Sequence, residues 1–581
     1  MQGCPDRPRS DSPEELGFRR RPMVRWLDPG PLVAKETKAI VSGIFGSHAD
    51  RREMQAALEP PAELDYSDRD EIWFDYAADT GDGWDSTYTM ASLLAREALA
   101  FDREGGRTET ERGRFLVLGG DAVYPAASED LYRDRFLGPF GAALPCAPED
   151  AHPDLFALPG NHDWYDGLTG FLRIFCQGRW VGGWRTHQSR SYFALKLPHR
   201  WWLWAIDISF DAFIDRPQLE YFAEMGRTRV EHGDRIILCT AKPSWVHEGL
   251  IGDVAYATKV RAKQNLAQFQ RQIVEPSGAT VAVTLSGDLH HYARYAAEEG
   301  PGQKITAGGG GAYLYPTHNL PERIAWPEGG RDVAYRLRSI FPNRARSRRL
   351  RAGVLLAPFA NPGFVAMGAV VVLLFGWLIQ FALRTPGETF ASAMHDASLR
   401  ELALAMVRYP GSGLLALVVL GAIVHFADAA GWRRLLLGGL HAAGQVLLIL
   451  LSLWGASRPN LGGAAFAGAF IGIAGAGGGV AAGFLMGLYL FVSNAALGRH
   501  PNEVFAAQHI DGYKNFLRIR IGPDGSLSIY PVGVERVPRR WRIRPDGEAG
   551  EPWFEPEGGW GQVQPFLIEA PVVIPPGIPS A

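Results

Sequence analysis

The chain has little cysteine. Cys4, Cys146, Cys176 and Cys239 are scattered over 581 residues with no Cys-x-x-Cys pair. That usage points to neither a disulfide framework nor a thiolate zinc site. An excess of charge is missing as well, since 59 basic residues face 62 acidic ones. No overall field draws the protein to nucleic acid, so no nucleic-acid partner is expected. The N-terminus is polar and Arg-rich through Arg25 and lacks the apolar core of a cleaved signal peptide. From residue 353 the composition changes, and long stretches lack charge.

Gly363 to Leu383 holds no charged residue, and its length suits a hydrocarbon layer of about 30 Å. Ser412 to about Gly431, Leu435 to Trp454 and Ala464 to about Ala495 follow, which predicts four crossings. The last is rich in Gly and Ala, as close helix packing in lipid requires. Arg344, Arg346, Arg348, Arg349 and Arg351 precede the first crossing, and Arg433 and Arg434 lie between the second and third. The positive-inside rule then assigns everything before residue 353 to the cytoplasm, and an even count returns the C-terminus there. An integral protein of the inner or plasma membrane is expected. His425, Asp428 and His441 lie in or near the spans, where interhelical contact competes with an ion pathway.

Five regions follow from composition: a polar and helical extension (1–65), a layered α/β domain (66–320), a basic linker (321–352), the membrane domain (353–498) and a C-terminal β and coil segment (499–581). The opening through Leu16 reads as disordered, and Val33 to Phe45 as a helix. In the second region, short apolar runs end in polar or glycine-rich turns: Ile72 to Ala78, Phe115 to Leu118, Leu155 to Leu158, Arg235 to Cys239, Thr280 to Leu285 and Lys304 to Ala307. Strands alternating with helices place functional loops at the strand ends. In the tail, Phe516 to Ile521 and Leu527 to Val532 flank Gly522-Pro523-Asp524-Gly525, a β-hairpin signal.

Four of these strand ends carry related chemistry. They read Asp79-Thr80-Gly81, Gly120-Asp121-Ala122-Val123-Tyr124, Gly160-Asn161-His162-Asp163 and Gly287-Asp288-Leu289-His290-His291. Taken singly, each has a turn or core explanation. Together, carboxylate, phenol, amide oxygen and imidazole from separate strand ends make a donor set for hard or borderline metal ions. His162 suits proton transfer near neutral pH, with Asp163 beside it to orient the ring. Ser244 and Ser286 lack the elbow sequence of a serine nucleophile.

Over about residues 70–310 this order of motifs resembles the calcineurin-like metallophosphoesterase superfamily. The Gly-Asp-x-x-Tyr form is similar to that of the purple acid phosphatases. The resemblance implies a four-layer α-β-β-α sandwich with a dinuclear site at the strand ends, fused here to an all-α transmembrane bundle. It implies a first metal on Asp79, Asp121, Tyr124 and His290, with iron suited to the phenolate. Asp121 would bridge to a second metal on Asn161. Fe and Mn are the expected ions, with Zn or Mg as alternatives. Two departures bear on the second metal: Ala241 stands where a His should precede Pro243, and Asp288 replaces the first His of Gly-His-x-His. Either Asp288 ligates a hard ion, or His291 or His247 moves in, or the Lys242 ammonium takes the second cation's place.

The implied activity is hydrolysis of a phosphate ester by metal-activated hydroxide, with His162 stabilising the transferring group or protonating the leaving oxygen. Lipid-linked and nucleotide-linked esters are the candidate substrates, and the bilayer is the other partner. The competing reading is a membrane sensor or scaffold that keeps the fold without catalysis. Trp164 to Arg190, rich in Trp and Arg, serves either substrate selection or loop packing. Asp82 and Asp85 either support the first metal through water or shape the turn. The glycine run Gly308 to Gly311 follows a strand and permits close backbone approach to a ligand.

Overall fold

The computed structural model describes residues 4–30, 64–103, 106–148, 151–208, 214–246, 256–545, 547–548 and 550–577. The helix expected over Val33 to Phe45, and His247, lie outside the described residues.

Two nine-stranded sheets organise the described residues. One carries, in spatial order from its middle, Ile72–Ala77, Phe115–Leu118, Asp154–Ala157 and Trp184–Thr186, all parallel. The other contains Trp201–Ile206, Arg235–Thr240, Thr280–Ser286 and Gln303–Ala307, again parallel, with antiparallel strands at its ends. The period-2 pattern explains how they meet. Phe74, Tyr76, Phe115 and Val117 of the first sheet join Leu203, Ala205, Ile237 and Leu285 of the second in one core. The alternate residues face away. Leu116, Leu118 and Leu155 pack on Tyr88, Phe140 and Phe171 of helices Trp84–Ala95, Gly138–Ala143 and Thr169–Phe175. Trp202, Trp204 and Leu238 pack on Phe222, Leu266 and Phe269 of helices Arg216–Thr228 and Tyr256–Phe269.

The expected boundaries need correction. The C-terminal hairpin is part of the first sheet: Lys514–Ile521 pairs antiparallel with Ile72–Ala77, and Leu527–Val534 pairs with Lys514–Ile521. Its apolar residues Leu517, Ile519 and Ile521 enter the core between the sheets, while Arg518 turns outward to the buried carboxylate of Asp75 at 3.3 Å. A hairpin with two apolar faces needs cover on both sides, which an isolated tail does not provide. Likewise, the supposed linker holds strands Arg323–Glu328 and Arg331–Phe341, which extend the second sheet. Nor is the opening disordered: Leu16 and Phe18 are buried, and Cys4 is disulfide-bonded to Cys146. Their separation of 142 residues hides that pairing from any spacing rule.

Among the described residues, three helices are long and apolar enough to cross a membrane: Pro362–Leu383, Gly431–Ser457 and Gly463–Leu497. The second crossing expected from the sequence corresponds to Pro410–Phe426, only 17 residues long. It meets Leu399–Arg408 at 92°. A Ser398–Glu401 capping box starts that amphipathic partner, and Tyr409 and Pro410 break the path between the two. Two of the polar groups expected in or near the spans make contacts with distant elements, while His425 is exposed. His441 stacks on Tyr489, and Asp428 accepts a hydrogen bond from the His500 backbone amide.

Candidate metal centre

Asp79, Asp121 and Asp288 each follow a strand, and each has a left-handed backbone, with φ of 60°, 50° and 65°. That conformation is costly for a residue with a Cβ and is retained where the surroundings impose it. The surroundings here are glycines. A Cβ on Gly160 would collide with the Asp121 carboxylate, and one on Gly287 or Gly308 would lie 2.6 Å from Asp79 Oδ2. The run Gly308 to Gly311 does serve close approach, but to the chain at Ala78–Thr80. Gly310 N donates to Ala78 O and Ala312 N to Asp79 O.

The side chains then converge. Tyr124 Oη donates to Asp79 Oδ1 at 3.0 Å and lies 3.3 Å from Asp121 Oδ2 and 3.1 Å from His290 Nε2. His290 Nε2 is 3.7 Å from Asp79 Oδ1. All four residues are buried, Asp79 at 0 % exposure and Asp121 at 3 %. Burial, then the charges of Asp121 and Asp288, push the Asp79 carboxyl well above its ordinary range. Asp121 is pushed up in the same way by burial and by Asp163 and Asp288. Carboxylates this close and this dry ionise together only beside a compensating cation. The imidazole is prepared for one. His290 Nδ1 donates to Tyr313 O at 2.8 Å, so the lone pair is on Nε2, facing the carboxylates. Burial pulls its pKa down to about 3, which keeps the ring neutral.

The donor set of Asp79, Asp121, Tyr124 and His290 fits a metal ion. The expected second set is different in kind. Asp288 is half-buried, donates its backbone amide to Asp79 Oδ2, and acts by its charge on both Asp79 and Asp121. Asn161 is half-buried and donates from Nδ2 to Tyr165 Oη at 3.2 Å. Ala241 occupies the neighbouring strand end, its Cβ 3.2 Å from where a Gly120 Cβ would stand. The Lys242 ammonium, half-buried, pulls the Asp121 carboxyl down. His291 is buried, with no hydrogen bond or ion pair to these residues.

The expected partnership of His162 with Asp163 is not formed. Asp163 Oδ2 accepts from Gly160 N at 2.8 Å and Ala122 N at 3.3 Å, and Oδ1 accepts from Tyr132 Oη at 2.6 Å. Its carboxylate therefore clamps two strand-end loops together. His162 is oriented otherwise. Its ring Nδ1 donates to Pro125 O at 2.7 Å, and its backbone amide donates to Asp121 Oδ1 at 2.8 Å. Asp82 and Asp85 hold flanking segments: Asp82 Oδ1 accepts from Val24 N, and Asp85 Oδ1 from Trp541 Nε1. Ser244 and Ser286 are fully buried. Of the Trp164 to Arg190 segment, Tyr165 packs on the His162 ring, while Trp184 is buried against Phe140 on the helical side.

Sequence reasoning missed three contributors. Trp26 lies edge-on to His162 at 5.7 Å and to Tyr124 at 6.3 Å, bringing the N-terminal segment over the site. Tyr313 supports His290, and its own Oη donates to Asn502, just past the last long helix. Buried Lys514, from the C-terminal hairpin, donates to Ala312 O and acts by its charge on Asp79 and Asp82. Only Tyr313 had a signal, its place two residues after the glycine run.

No protein-family model matches the chain, and no curated protein matches it. Solved structures that share likeness at low identity include the following three. GAP50, the anchor in the inner membrane complex of Plasmodium, is 14 % identical with a TM-score of 0.29, covering 41 % of this chain and 72 % of its own. PhoD is 11 % identical at 0.25, covering 44 % and 59 %. The purple acid phosphatase PPD1 of yellow lupin seeds is 11 % identical at 0.28, covering 48 % and 49 %. Similarity this slight adds no weight to the geometry.

Proposed function

We propose that the chain is a membrane-anchored, metal-dependent hydrolase of a phosphate ester, its two sheets and outer helices forming an α-β-β-α sandwich. The observation that carries this reading is the convergence of Asp79, Asp121 and His290 on the Tyr124 phenol oxygen in a buried, carboxylate-rich site. Asp79, Asp121, Tyr124 and His290 would hold the first cation. Asp121, Asn161 and Asp288 would offer oxygen to a second, which favours a hard ion such as Mn²⁺ or Mg²⁺. Bound cations supply Lewis acidity and lower the pKa of a coordinated water toward about 7.

The chain's own residues do the rest. Asp163 and Tyr132 fix the loop that presents His162. The Pro125 carbonyl holds Nδ1, which assigns proton transfer to the leaving oxygen to Nε2. Lys242 supplies positive charge beside Asp121 for the ester's phosphate oxygens. Trp26 and Tyr313 screen the ligands from water. A lipid-linked or nucleotide-linked ester remains the proposed substrate class.

Strand pairing supports the anchoring. Because Lys514–Ile521 pairs with Ile72–Ala77, the chain before the helices and the chain after them share one side. An even number of crossings satisfies that, so the bent pair ending in Pro410–Phe426 is the fourth. The Arg clusters favour the cytoplasm for this side, whereas the Cys4–Cys146 disulfide suits an oxidising compartment.

The test is turnover of chromogenic phosphomonoesters and diesters by protein loaded with Mn or Fe, with His162→Ala as control. Absence of turnover with every metal would overturn the enzyme. Ala241 and Asp288 favour the second reading, a non-catalytic sensor, which predicts wild-type protein without metal at Asp79 and Asp121.

A further inference from the structure

At the opposite end of the strand that leads to Asn161 stands another donor cluster. We propose that His152, Asp154 and His187 form a separate site for a divalent ion of the zinc class. Asp154 opens the strand Asp154–Ala157, and its Oδ1 lies 2.9 Å from His187 Nε2 and 3.4 Å from His152 Nε2. One ligand atom from each of the three lies within 4.8 Å of the others. Seven residues of extended chain separate Asp154 from Asn161, roughly 20 Å. One ion does not serve both places.

The site is built rather than incidental. Asp154 is buried, and its other oxygen is engaged: Tyr66 Oη donates to Oδ2 at 2.7 Å, and the Arg114 guanidinium lies 3.8 Å from it. These outer contacts turn Oδ1 toward the two imidazoles, the kind of support that orients a ligating carboxylate. The His152 ring is packed on Trp180 at 4.9 Å. Adjacent strands fix the spacing, since Asp154 pairs with Arg185 and His187 follows two residues later. Two imidazole nitrogens with one carboxylate oxygen make a borderline donor set, unlike the all-oxygen sites of Mg²⁺ and Ca²⁺. His152 and His187 also line a cavity of about 1260 Å³. Three protein ligands beside such a space leave a fourth position for water or an anion, the arrangement of zinc sites with an open coordination place. The cation would also tie the loop entering one strand to the loop leaving its neighbour.

The experiment is Zn²⁺ titration of chelator-stripped full-length protein in detergent against a chromophoric competitor, with Co²⁺ replacing Zn²⁺ for a visible ligand-field spectrum. Wild type should take up about one equivalent more than the double variant His152→Ala/His187→Ala, and Asp121→Asn should keep that equivalent. Tyr66→Phe should bind about tenfold or more weakly. His187, exposed at the surface, gives a milder single variant, His187→Ala, whose folding circular dichroism checks. Equal uptake by wild type and folded His187→Ala would overturn the site, as would uptake only at millimolar zinc. Phosphate-ester turnover is not read here, so the result is independent of the hydrolase reading.

Discussion

Asp79 and Asp121 are carboxylates with almost no exposed surface, whereas Leu417 and Trp432 on the apolar helices are 66 % and 69 % exposed. The strand ends bury charge, and the helices display hydrocarbon. Each arrangement is unfavourable for a chain surrounded only by water. Each would become favourable with the partner proposed for it, a cation in one region and lipid in the other. The difference teaches that two regions of one chain can depart from the usual rules of burial in opposite senses. Both are joined through one sheet, because the hairpin beyond the helices completes it.

The sharpest way to break this contrast is Asp121→Asn, which keeps the shape and removes a charge. If a cation holds the site, turnover of a phosphate ester should fall on the order of 10³-fold, the several kcal/mol such an ion supplies. Steady-state kinetics on metal-loaded protein would check it, and retained activity would detach the strand ends from metal chemistry. Next comes the seam between the regions. Arg518→Met leaves Asp75 buried without its partner and should cost about 3–5 kcal/mol, read as a lowered urea midpoint. An unchanged midpoint would show that the hairpin docks by apolar contact alone.

In the helices, Leu417→Arg puts charge on an exposed apolar face near the middle of the short helix Pro410–Phe426. Insertion should become less favourable by about 2.5–3.5 kcal/mol, visible as loss of membrane integration in a translocation assay. Normal integration would mean that this helix does not cross. The smallest expected effect is pH dependence at the seam. Burial pushes Asp75 up to about 6, against an ordinary 3.8. Folding therefore binds its proton more tightly. The stabilising share is complete below pH 3.8 and is lost as pH rises through 6. Urea midpoints of wild type should decline from pH 4 to pH 6 more steeply than those of Asp75→Asn.

The sequence alone determined the local chemistry. Strand, turn and ligand lie within a few residues of one another in Asp79-Thr80-Gly81, Gly120 to Tyr124, Gly160 to Asp163 and Gly287 to His290, so each could be read without knowing its neighbours in space. Apolar length did the same for the long helices, because crossing a bilayer is a property of one segment. Partnership was decided by tertiary structure. Asp163 stands next to His162 in the chain but bonds Tyr132. Cys4 meets Cys146, and His187 meets Asp154. Lys514 reaches the Asp79 end of a sheet that begins hundreds of residues earlier. Hydrogen bonds and charges act over a few ångströms of space, and chain separation carries no record of that distance until the sheets have closed.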